Sequence, residues 1–278
     1  MSTAAVPSGR LRRGWGLVTA VLHRWIVLAL GVVAWELGTR ASTSPYFPTP
    51  SKIVARMYHL WFSGPVSHAF LTPTAVENIL PSLGRMALGL TASVVVGIML
   101  GLALGRSDRA FEYLDPLLQF ARVIPPPTLV PIFIVLLSVG TQMQLASIIF
   151  SAIWPILLNT ADGSRSVDRL QMDTARVFHL SRTDRLFKII IPSSLPKIFA
   201  GLRLSLSLSL ILMVFSELLP GTANGIGFEL VDAQSRSDLP TMWAGIVLLG
   251  ILGYLLNSIL LAVERRMLAW HRTSHTDR

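Results

Sequence analysis

Three long stretches of this chain contain no charged residue, and they constrain its fold more than any other feature. Met86–Leu104 has 19 residues, Val123–Ala161 has 39 and Leu239–Val263 has 25. Because a helix needs about 20 apolar residues to cross the hydrocarbon core of a bilayer, each stretch is long enough to cross at least once. Charged residues make up 14% of the whole chain, against about 25% in soluble domains. The sequence therefore predicts an all-α integral membrane protein.

The longest uncharged stretch must fold back on itself. As one helix, its 39 residues would extend about twice the thickness of the bilayer core. The polar segment Ser138–Gln144 (SVGTQMQ) marks the break, so this stretch should cross twice. The whole chain then has six predicted transmembrane helices, at Leu22–Gly38 and at about 86–105, 124–139, 144–161, 198–219 and 240–263. Basic residues before the first span also fit a signal peptide, but five further spans favour an uncleaved anchor.

Basic residues lie mostly on one side of the predicted spans. Six spans put both termini on the same side, and with the N-terminus inside, 18 Arg and Lys residues fall in cytoplasmic segments. The outer segments hold four, Arg40, Lys52, Arg56 and Arg236. Since cytoplasmic segments carry the excess of basic residues, both termini are predicted to be cytoplasmic. The same asymmetry accounts for the net charge of +9, so nucleic acid is not an expected partner.

The outer segment after the first span contains several prolines, and Ser51 follows them as a candidate helix cap. The helix that it would start has one apolar face, formed by Ile53, Met57, Leu60 and Trp61. We expect this helix to lie at the outer membrane interface, where it either braces the spans or contacts a partner outside.

Small residues recur every four positions in two of the spans. The stripes consist of Gly89, Ser93, Gly97, Gly101 and Gly105 in the second span and of Gly201, Ser205 and Ser209 in the fifth. Small residues let two helix backbones approach closely in a membrane. Both stripes should therefore pack against protein, either within one subunit or at an interface between subunits.

Pro125, Pro126, Pro127 and Pro131 lie at the start of the predicted third span. Proline removes a backbone donor and interrupts a helix, and non-helical backbone at membrane depth is tolerated only where protein or a water-filled cavity covers it. These residues therefore either line the interior of the protein or form a loop at the cytoplasmic interface. Glu217, near the end of the fifth span, either faces a cavity or is a structural carboxylate at the interface.

Asp168–Arg203 is a charged amphipathic segment between the fourth and fifth spans. Apolar residues at helical spacing predict a helix over Asp168–Phe178. Ser181–Asp184 (SRTD) then fits a capping box, with Asp in the position usual for Glu or Gln. The two helices would form an elbow, which either transmits the movement of a cytoplasmic partner to the spans or is a solvated loop.

The second helix of this elbow should be short. Its inward face is predicted to consist of Leu186, Phe187, Ile189 and Ile190. Pro192 should end the helix, and Pro196 should redirect the chain into the fifth span.

The chain lacks the motifs of an ATPase or a metal enzyme. A phosphate-binding loop needs Gly-Lys-Ser/Thr, but none of the three lysines, Lys52, Lys188 and Lys197, follows a glycine. Neither H-E-x-x-H nor G-x-S-x-G occurs, and there is no cysteine. We expect no cofactor, no metal site and no catalytic residue, and any ATP would bind to another polypeptide.

The elbow resembles the cytoplasmic loop of the ABC-importer permeases. That loop has the pattern EAA-x3-G, then an apolar run ending in LP, then P-x-I-x2-GLR. The matching residues in this chain are Asp173-Thr174-Ala175, Ser181, Ile191-Pro192, Pro196, Ile198 and Gly201-Leu202-Arg203.

Other segments look like the sulfonate, taurine and nitrate permease subgroup of that family. They are FPTPSKIV at Phe47–Val54, LDPLLQFARVIPPPTLVPI at Leu114–Ile132, and Ser216-Glu217 with Gly225-Ile226-Gly227. The resemblance covers most of residues 30–270, and its motifs occur in the expected order between the expected spans.

The resemblance implies a type I ABC importer permease fold of six transmembrane helices in the cytoplasmic membrane of a bacterium. It divides the chain into four parts: a cytoplasmic tail (1–14), the first helix with the outer segment (15–80), an ABC transmembrane type-1 domain (81–265) that includes a coupling loop (162–197), and a second cytoplasmic tail (266–278).

The resemblance also implies partners and functional residues. Two copies of the permease would form the pathway, a dimer of cytoplasmic ATPase subunits would bind the ATP, and a solute-binding protein would deliver the substrate from outside. The residues implied in coupling to the ATPase are Asp173, Thr174, Ala175, His179, Ser181, Asp184, Pro192, Pro196, Gly201 and Arg203. The candidate pathway residues are Pro126, Pro127, Pro131, Ser209 and Glu217.

The implied substrate is a small anion such as a sulfonate, taurine or nitrate. A neutral heterocycle, such as a thiamine-precursor pyrimidine, is the alternative within the family, because the predicted spans show no cluster of cationic residues. Outside the family, the alternative is an ion-coupled secondary transporter, which would bury ionisable residues near the membrane midplane.

The chain departs from the family pattern at three places. His179 stands where the family has Gly, and a Gly there would allow a left-handed turn that His adopts at some cost. Ser138-Val139-Gly140 replaces Trp-Phe-Gly after the third span. Asp173 replaces Glu, which is a milder change.

Overall fold

A computed structural model of the chain describes residues 9–42, 45–68 and 70–269, with side chains from Trp25 onward except at position 68. The described residues form eleven α-helices and no strand. The helices are α1 (Gly9–Ser42), α2 (Pro50–Met57), α3 (Pro73–Gly105), α4 (Asp108–Val123), α5 (Pro126–Leu137), α6 (Thr141–Arg165), α7 (Arg169–Val177), α8 (Arg182–Arg185), α9 (Ile191–Glu217), α10 (Ile226–Ser235) and α11 (Leu239–Met267). Two π-turns, Tyr58–Phe62 and Leu186–Ile190, extend α2 and join α8 to α9.

Five helical segments are long and apolar enough to cross a membrane, and the bent pair α4–α5 would make a sixth. The all-α fold predicted from the sequence is thus confirmed. Helix α1 begins at Gly9, so residues 9–14 of the expected cytoplasmic tail are already helical. They include Arg and Leu, which favour helices, and no proline. Residues 1–8 and 270–278 of the two expected tails lie outside the described residues.

Helix α6 packs between α3 and α9 and forms the centre of the protein. The predicted small-residue stripe of α3 lies against it. A Cβ atom on Gly97 would lie 2.9 Å from the Ile156 side chain, and one on Gly101 would lie 2.6 Å from the carbonyl oxygen of Leu157. This stripe therefore packs within one subunit, which decides between the two alternatives that the sequence leaves open.

The second small-residue stripe brings α9 against α6. A Cβ atom on Gly201 would lie 2.6 Å from the carbonyl oxygen of Pro155, and the Ser205 hydroxyl donates a hydrogen bond of 2.6 Å to the carbonyl of Ala152. Ser209 is fully buried in the same contact region. Since lipid removes the hydrophobic drive between helices, close packing and hydrogen bonds of this kind hold the core together.

The fold-back predicted at Ser138–Gln144 is confirmed. Helix α5 ends at Leu137 and α6 begins at Thr141, so three residues reverse the chain. Both Ser138, with φ of 61°, and Gly140, with φ of 149°, have positive φ. Two such residues within three positions produce a sharp change of direction, and the glycine makes one of them free of steric cost.

The third span differs most from its prediction. Helix α5 has 12 residues and is about 18 Å long, which is too short for a bilayer core of about 30 Å. Helix α4 precedes it at an angle of 88°, and the apolar pattern of the sequence does not predict α4. The bend falls at Ile124-Pro125, where both residues have extended backbone, because a residue that precedes proline avoids the helical region.

The outer helix α2 begins slightly earlier than predicted. Its N-cap is Thr49 and not Ser51, since the Thr49 hydroxyl accepts a hydrogen bond of 3.4 Å from the N–H of Lys52. Pro50 fits the first helical position because the N–H that it lacks would have no partner there. The Ser51 hydroxyl instead donates to Glu36 at 2.8 Å and so connects α2 to α1.

The predicted apolar face of α2 and its π-turn is buried, with Ile53 at 2% and Trp61 at 1% exposure. Arg56 forms an ion pair of 2.5 Å with Asp238 at the start of α11. The Trp61 indole N–H donates to Glu229 of α10 at 3.2 Å. Burial raises the pKa of Glu229 above its usual range, and the bond from Trp61 partly offsets this effect. These contacts favour bracing as the role of the outer segment.

The glycine stripe of α3 gives a first testable prediction. Gly101→Ala places a methyl group against the backbone of α6, so we expect the free energy of unfolding to fall by about 1–3 kcal/mol. Gly84→Ala in the same helix is the matched control, because no described atom beyond its own turn of helix lies within 4 Å of its Cβ position, and Ala there should leave stability unchanged or raise it slightly. Thermal unfolding of the purified protein in mild detergent measures both variants. Equal midpoints for the two would contradict the close α3–α6 contact.

Candidate functional site

The elbow between α6 and α9 has the two capped helices that the sequence predicts. Helix α7 begins after Asp168, whose carboxylate accepts a hydrogen bond of 2.9 Å from the N–H of Leu170. Helix α8 begins after Ser181, whose hydroxyl accepts one of 3.0 Å from the N–H of Asp184 and donates to the Asp184 carboxylate at 2.5 Å. Asp184 also pairs with Lys188 at 2.6 Å. The capping box is therefore confirmed, with Asp in the acidic position.

His179 adopts the left-handed turn that the family pattern assigns to Gly. Its φ is 52°. The N–H of His179 donates to the carbonyl of Arg176, and the N–H of Leu180 donates to the carbonyl of Ala175, both at 3.0 Å. This pair of bonds is the Schellman motif that ends many helices. The elbow thus keeps the turn geometry with His in place of Gly and carries the conformational cost of a side chain there.

The prolines do not divide the second part of the elbow as predicted. The segment from Arg182 to Glu217 is one continuous helical run, whereas the sequence predicts an end at Pro192 and a new direction at Pro196. A π-turn explains the difference: the N–H of Ile191 reaches back five residues to the carbonyl of Leu186. Pro192 then falls in the first turn of α9, where a missing N–H costs little.

The π-turn also changes which side chains face inward. Ile190 is buried at 6% exposure, as predicted, but Phe187 is 62% exposed. A π-turn has more residues per turn than the 3.6 that the prediction assumes, so the apolar face rotates and Phe187 moves to the surface.

Apolar side chains of the elbow surround an open groove of about 760 Å³. Its lining includes Leu170, Thr174 and Phe178 of the first helix and Ile189 and Pro192 of the second part. Ala175 lies at the base of the groove with 2% exposure.

Four large apolar side chains of the elbow are exposed on the surface. They are Leu170 at 72%, Val177 at 74%, Phe178 at 74% and Phe187 at 62%. Leu170 and Phe178 line the same groove, and exposed apolar groups that share one surface mark an interaction site more often than a solvated loop does.

The other residues implied in coupling fall into two groups. Asp173 and Thr174 lie on the exposed side of α7, where Asp173 pairs with Arg176 at 2.7 Å. Gly201 and Arg203 lie about three turns into α9; Gly201 contacts α6, and Arg203 pairs with Glu264 of α11 at 2.6 Å. Pro196 is exposed near the start of α9. The second group therefore ties the elbow to the spans and does not contribute to the surface of the groove.

A buried polar cluster lies at the other end of α9, around Arg85 of α3. The Arg85 guanidinium donates to the side chains of Gln144 and Asn224 at 2.5 and 2.6 Å and to the carbonyl of Pro81 at 3.1 Å. It lies 3.2 Å from the Glu217 carboxylate. The cluster thus joins α3, α6, the end of α9 and the turn before α10. Arg85 directly precedes an uncharged run, and nothing in its local sequence predicts its role in a buried cluster.

The glycines of the Gly225-Ile226-Gly227 motif make room for Glu217. The N–H of Gly227 donates to its carboxylate at 3.0 Å, and the Ser82 hydroxyl donates to it at 2.8 Å. A Cβ atom on Gly225 would lie 2.5 Å from the carboxylate, and the φ of Gly225 is 131°. The two motifs of this region, which are separate in the sequence, therefore form one structural unit.

The candidate pathway residues do not form one group. Ser209 and Glu217 are buried at 0% and 1% exposure, so neither reaches an open cavity in this protomer. Pro126 and Pro127 are half-buried, and Pro131 is exposed on α5. The contacts of Glu217 with Arg85, Ser82 and Gly227 fit the structural role, and its place in the pathway stays a prediction.

Comparison with known proteins identifies the class. Residues 93–269, more than half of the chain, match the family of binding-protein-dependent transport system inner membrane components. The solved MetNI methionine ABC transporter, in inward-facing conformations, has a similar fold, with a TM-score of 0.58 and 17% identity over 68% of this chain and 94% of that one. The chain is a multi-pass permease of this family.

Among its relatives are permeases named for aliphatic sulfonates, nitrate and taurine. SsuC of Bacillus subtilis strain 168, named as an aliphatic sulfonates transport permease protein, is 31% identical over 95% of this chain and 91% of its own length. NrtB of Synechocystis, a nitrate import permease protein, is 32% identical over 88% of both chains. TauC of Escherichia coli K12, a taurine transport system permease protein, is 30% identical over 95% of both chains. The chain belongs to the ABC-importer permeases, as its motifs predict.

The buried ion pair gives a second prediction. Arg85→Met leaves the Glu217 carboxylate buried without its counter-charge, so we expect a loss of about 3–5 kcal/mol in the free energy of unfolding. Adding Glu217→Gln should restore part of it, because Gln can still accept from Gly227 and Ser82. Arg203→Met is the matched control: its partly exposed pair should contribute about 1 kcal/mol or less. Thermal unfolding in detergent measures all three, and similar losses from Arg85→Met and Arg203→Met would contradict the assigned role of the cluster.

The left-handed turn gives a third prediction. His179→Gly removes a Cβ atom from a positive-φ position, so the thermal midpoint of the protein should rise or stay the same. Thr174→Gly, in the interior of α7, should lower the midpoint because Gly costs about 1 kcal/mol in a helix. A lower midpoint for His179→Gly would show that the His side chain, and not the turn geometry, stabilises the elbow.

Proposed function

We propose that this chain is the permease subunit of an ATP-driven importer that carries a small anion across the cytoplasmic membrane of a bacterium, with both of its termini in the cytoplasm. Two copies would form the pathway, a dimer of ATPase subunits would dock on the elbow, and a solute-binding protein would deliver the anion outside. Family membership and the names of the relatives support the class of cargo.

The exposed apolar surface of the elbow is the observation that carries the proposal. Leu170 and Phe178 line the groove between the two parts of the elbow, and Phe187 is a further exposed apolar side chain on the same, otherwise charged, element. Covering such a surface removes apolar area from water, at about 25 cal/mol per Å². A docked ATPase subunit would supply that cover, and the permease would need no nucleotide site of its own.

The connection from the elbow to the spans suits the transmission of movement. The helical run from Arg182 to Glu217 joins the elbow directly to a span. Lys197 pairs with Asp162 of α6 at 2.7 Å, and Arg203 pairs with Glu264 of α11. A displacement of the elbow would therefore move α9 together with its neighbours, which is what coupling of ATPase closure to the pathway requires.

The choice of an anion as substrate rests on the relatives and not on a cationic site in this chain. SsuC, NrtB and TauC are named for a sulfonate, nitrate and taurine. The donors of Arg85 are all bonded within the protein, so Arg85 is not free to bind a passing anion. Selection of the substrate would then fall mainly to the solute-binding protein.

The test of this function is affinity purification of the tagged permease, expressed in its native host, in a mild detergent, with quantitative mass spectrometry of the proteins that accompany it. We expect an ATPase subunit in about equal amount. Phe178→Asp should reduce that amount at least tenfold, because a charge in an apolar interface loses its hydration.

The matched control is Val66→Asp, which changes an equally exposed apolar residue, 74% in both cases, in the outer segment. It should leave the ATPase content unchanged. Full ATPase content with Phe178→Asp would show that the elbow is not the docking site. The absence of any ATPase from the wild-type preparation, in a detergent that keeps known ABC transporters intact, would favour an ion-coupled secondary carrier.

A further inference from the structure

A cavity of about 400 Å³ lies beside the elbow, apart from the apolar groove. Four arginines line it, together with a single carboxylate: Arg106, Arg165, Arg182, Arg185 and Asp108. The cavity therefore has an excess of positive charge. Because the cavity lies between α3, α6 and the elbow, it is a concave site formed by the fold and not a flat basic surface.

Most of these arginines have no acidic partner among the described residues. Arg165 is the exception: it lies 3.4 Å from Asp108 and stacks over the Phe111 ring at 4.1 Å. Arg185 contributes an Nε–H that is buried and has no hydrogen-bond acceptor in the described part of the chain. A buried donor without an acceptor costs about 1–3 kcal/mol, and more when it is charged, so this arrangement favours an anionic acceptor from outside the chain.

Two basic residues of the elbow outside the cavity have carboxylate partners. Arg176 pairs with Asp173 and Lys188 with Asp184 within the elbow. Arg106, Arg182 and Arg185 of the cavity have no such partner among the described residues. Guanidinium groups match phosphate oxygens with pairs of parallel hydrogen bonds, which makes a phosphate group the fitting occupant of an arginine-lined cavity.

The depth of the cavity indicates where that phosphate comes from. Gly105 follows directly after the uncharged run Met86–Leu104, and Arg165 lies four residues after the last residue of the run Val123–Ala161. Four residues of helix rise about 6 Å, and the polar headgroup layer is about 5–8 Å thick on each side of the hydrocarbon core. The cavity thus lies at the level of the headgroups.

We infer that this cavity binds the phosphate of an anionic phospholipid in the cytoplasmic leaflet, with Arg182 and Arg185 as its main donors. Basic pockets between transmembrane helices on the cytoplasmic side are suited to such headgroups. The inference rests on the proposed function for the cytoplasmic placement of the elbow. A bound lipid there would link the ends of α3 and α6 to the elbow, so the lipid composition of the membrane would affect the stability of the coupling element.

The test is a lipid titration of the purified full-length permease in dodecyl maltoside, read as the midpoint of thermal unfolding by tryptophan fluorescence. Dioleoylphosphatidylglycerol should raise the midpoint saturably. Dioleoylphosphatidylcholine, whose phosphate is neutralised by choline, and inorganic phosphate at millimolar concentration should not. Arg185→Gln should raise the half-saturating concentration of phosphatidylglycerol about tenfold, as expected for one lost charge-assisted hydrogen bond.

Two further variants keep the test decisive. Arg182→Gln changes an exposed side chain of the same cavity and serves if Arg185→Gln does not fold. Arg266→Gln, at the end of α11 and outside the cavity, removes the same charge and should leave the half-saturating concentration unchanged. An equal loss with Arg266→Gln, equal shifts from phosphatidylcholine, or no shift with phosphatidylglycerol would each overturn the inference.

The remaining outcomes separate this inference from its alternatives. An equal shift from inorganic phosphate would identify a site for free oxyanions and overturn the lipid. If Arg185→Gln and Arg182→Gln removed the ATPase from the purified complex but left the lipid titration unchanged, the arginines would serve a protein contact. A saturable effect of phosphatidylglycerol that depends on Arg185, in a preparation that never contains an ATPase, would support the lipid site while the proposed function failed.

Discussion

The close contact of α6 with α3 and α9 is the constraint on which the rest of this structure depends. Inside a membrane the helices gain nothing by leaving water, so they must approach until backbone atoms touch and polar groups bond across the interface. Gly101 and Gly201 permit that approach on α3 and α9. The hydrogen bond from Ser205 to the α6 backbone orients α9 against α6. A larger residue at either glycine would separate the helices that position both the elbow and the buried cluster.

Helix α9 joins the two polar regions of the protein into one mechanical unit. It begins at the elbow, and at its other end Glu217 lies in the cluster around Arg85, which also holds α3 and α6. A buried ion pair contributes little net stability compared with apolar packing, but separating its members is costly. The cluster therefore acts as a fixed point, and a movement of the elbow would tilt α9 about that end more readily than it would slide the helix along its axis.

Much of this fold can be predicted from the sequence, because the uncharged runs and the four-residue spacing of Gly and Ser report directly on spans and helix contacts. The capping pair Ser181 and Asp184 is also local, and its geometry follows from residue type. The π-turn at Leu186–Ile190 cannot be predicted in this way, since periodicity assumes a constant number of residues per turn. Arg85 escapes prediction for a different reason: its partner Gln144 is 59 positions away, and only the folded chain brings the two together.

The guanidinium of Arg85 already has partners within the protein, and this affects how an anion could cross the membrane. An unpaired arginine buried in the spans would be costly for the empty protein, and it would also hold an entering anion strongly enough to slow its release. Here the charge of Arg85 is compensated by Glu217, and its hydrogen bonds are taken by Gln144 and Asn224. In the importer proposed above, an anion that passes Arg85 would meet no free guanidinium and would bind weakly there, which suits transport driven by ATP with the affinity in a separate binding protein.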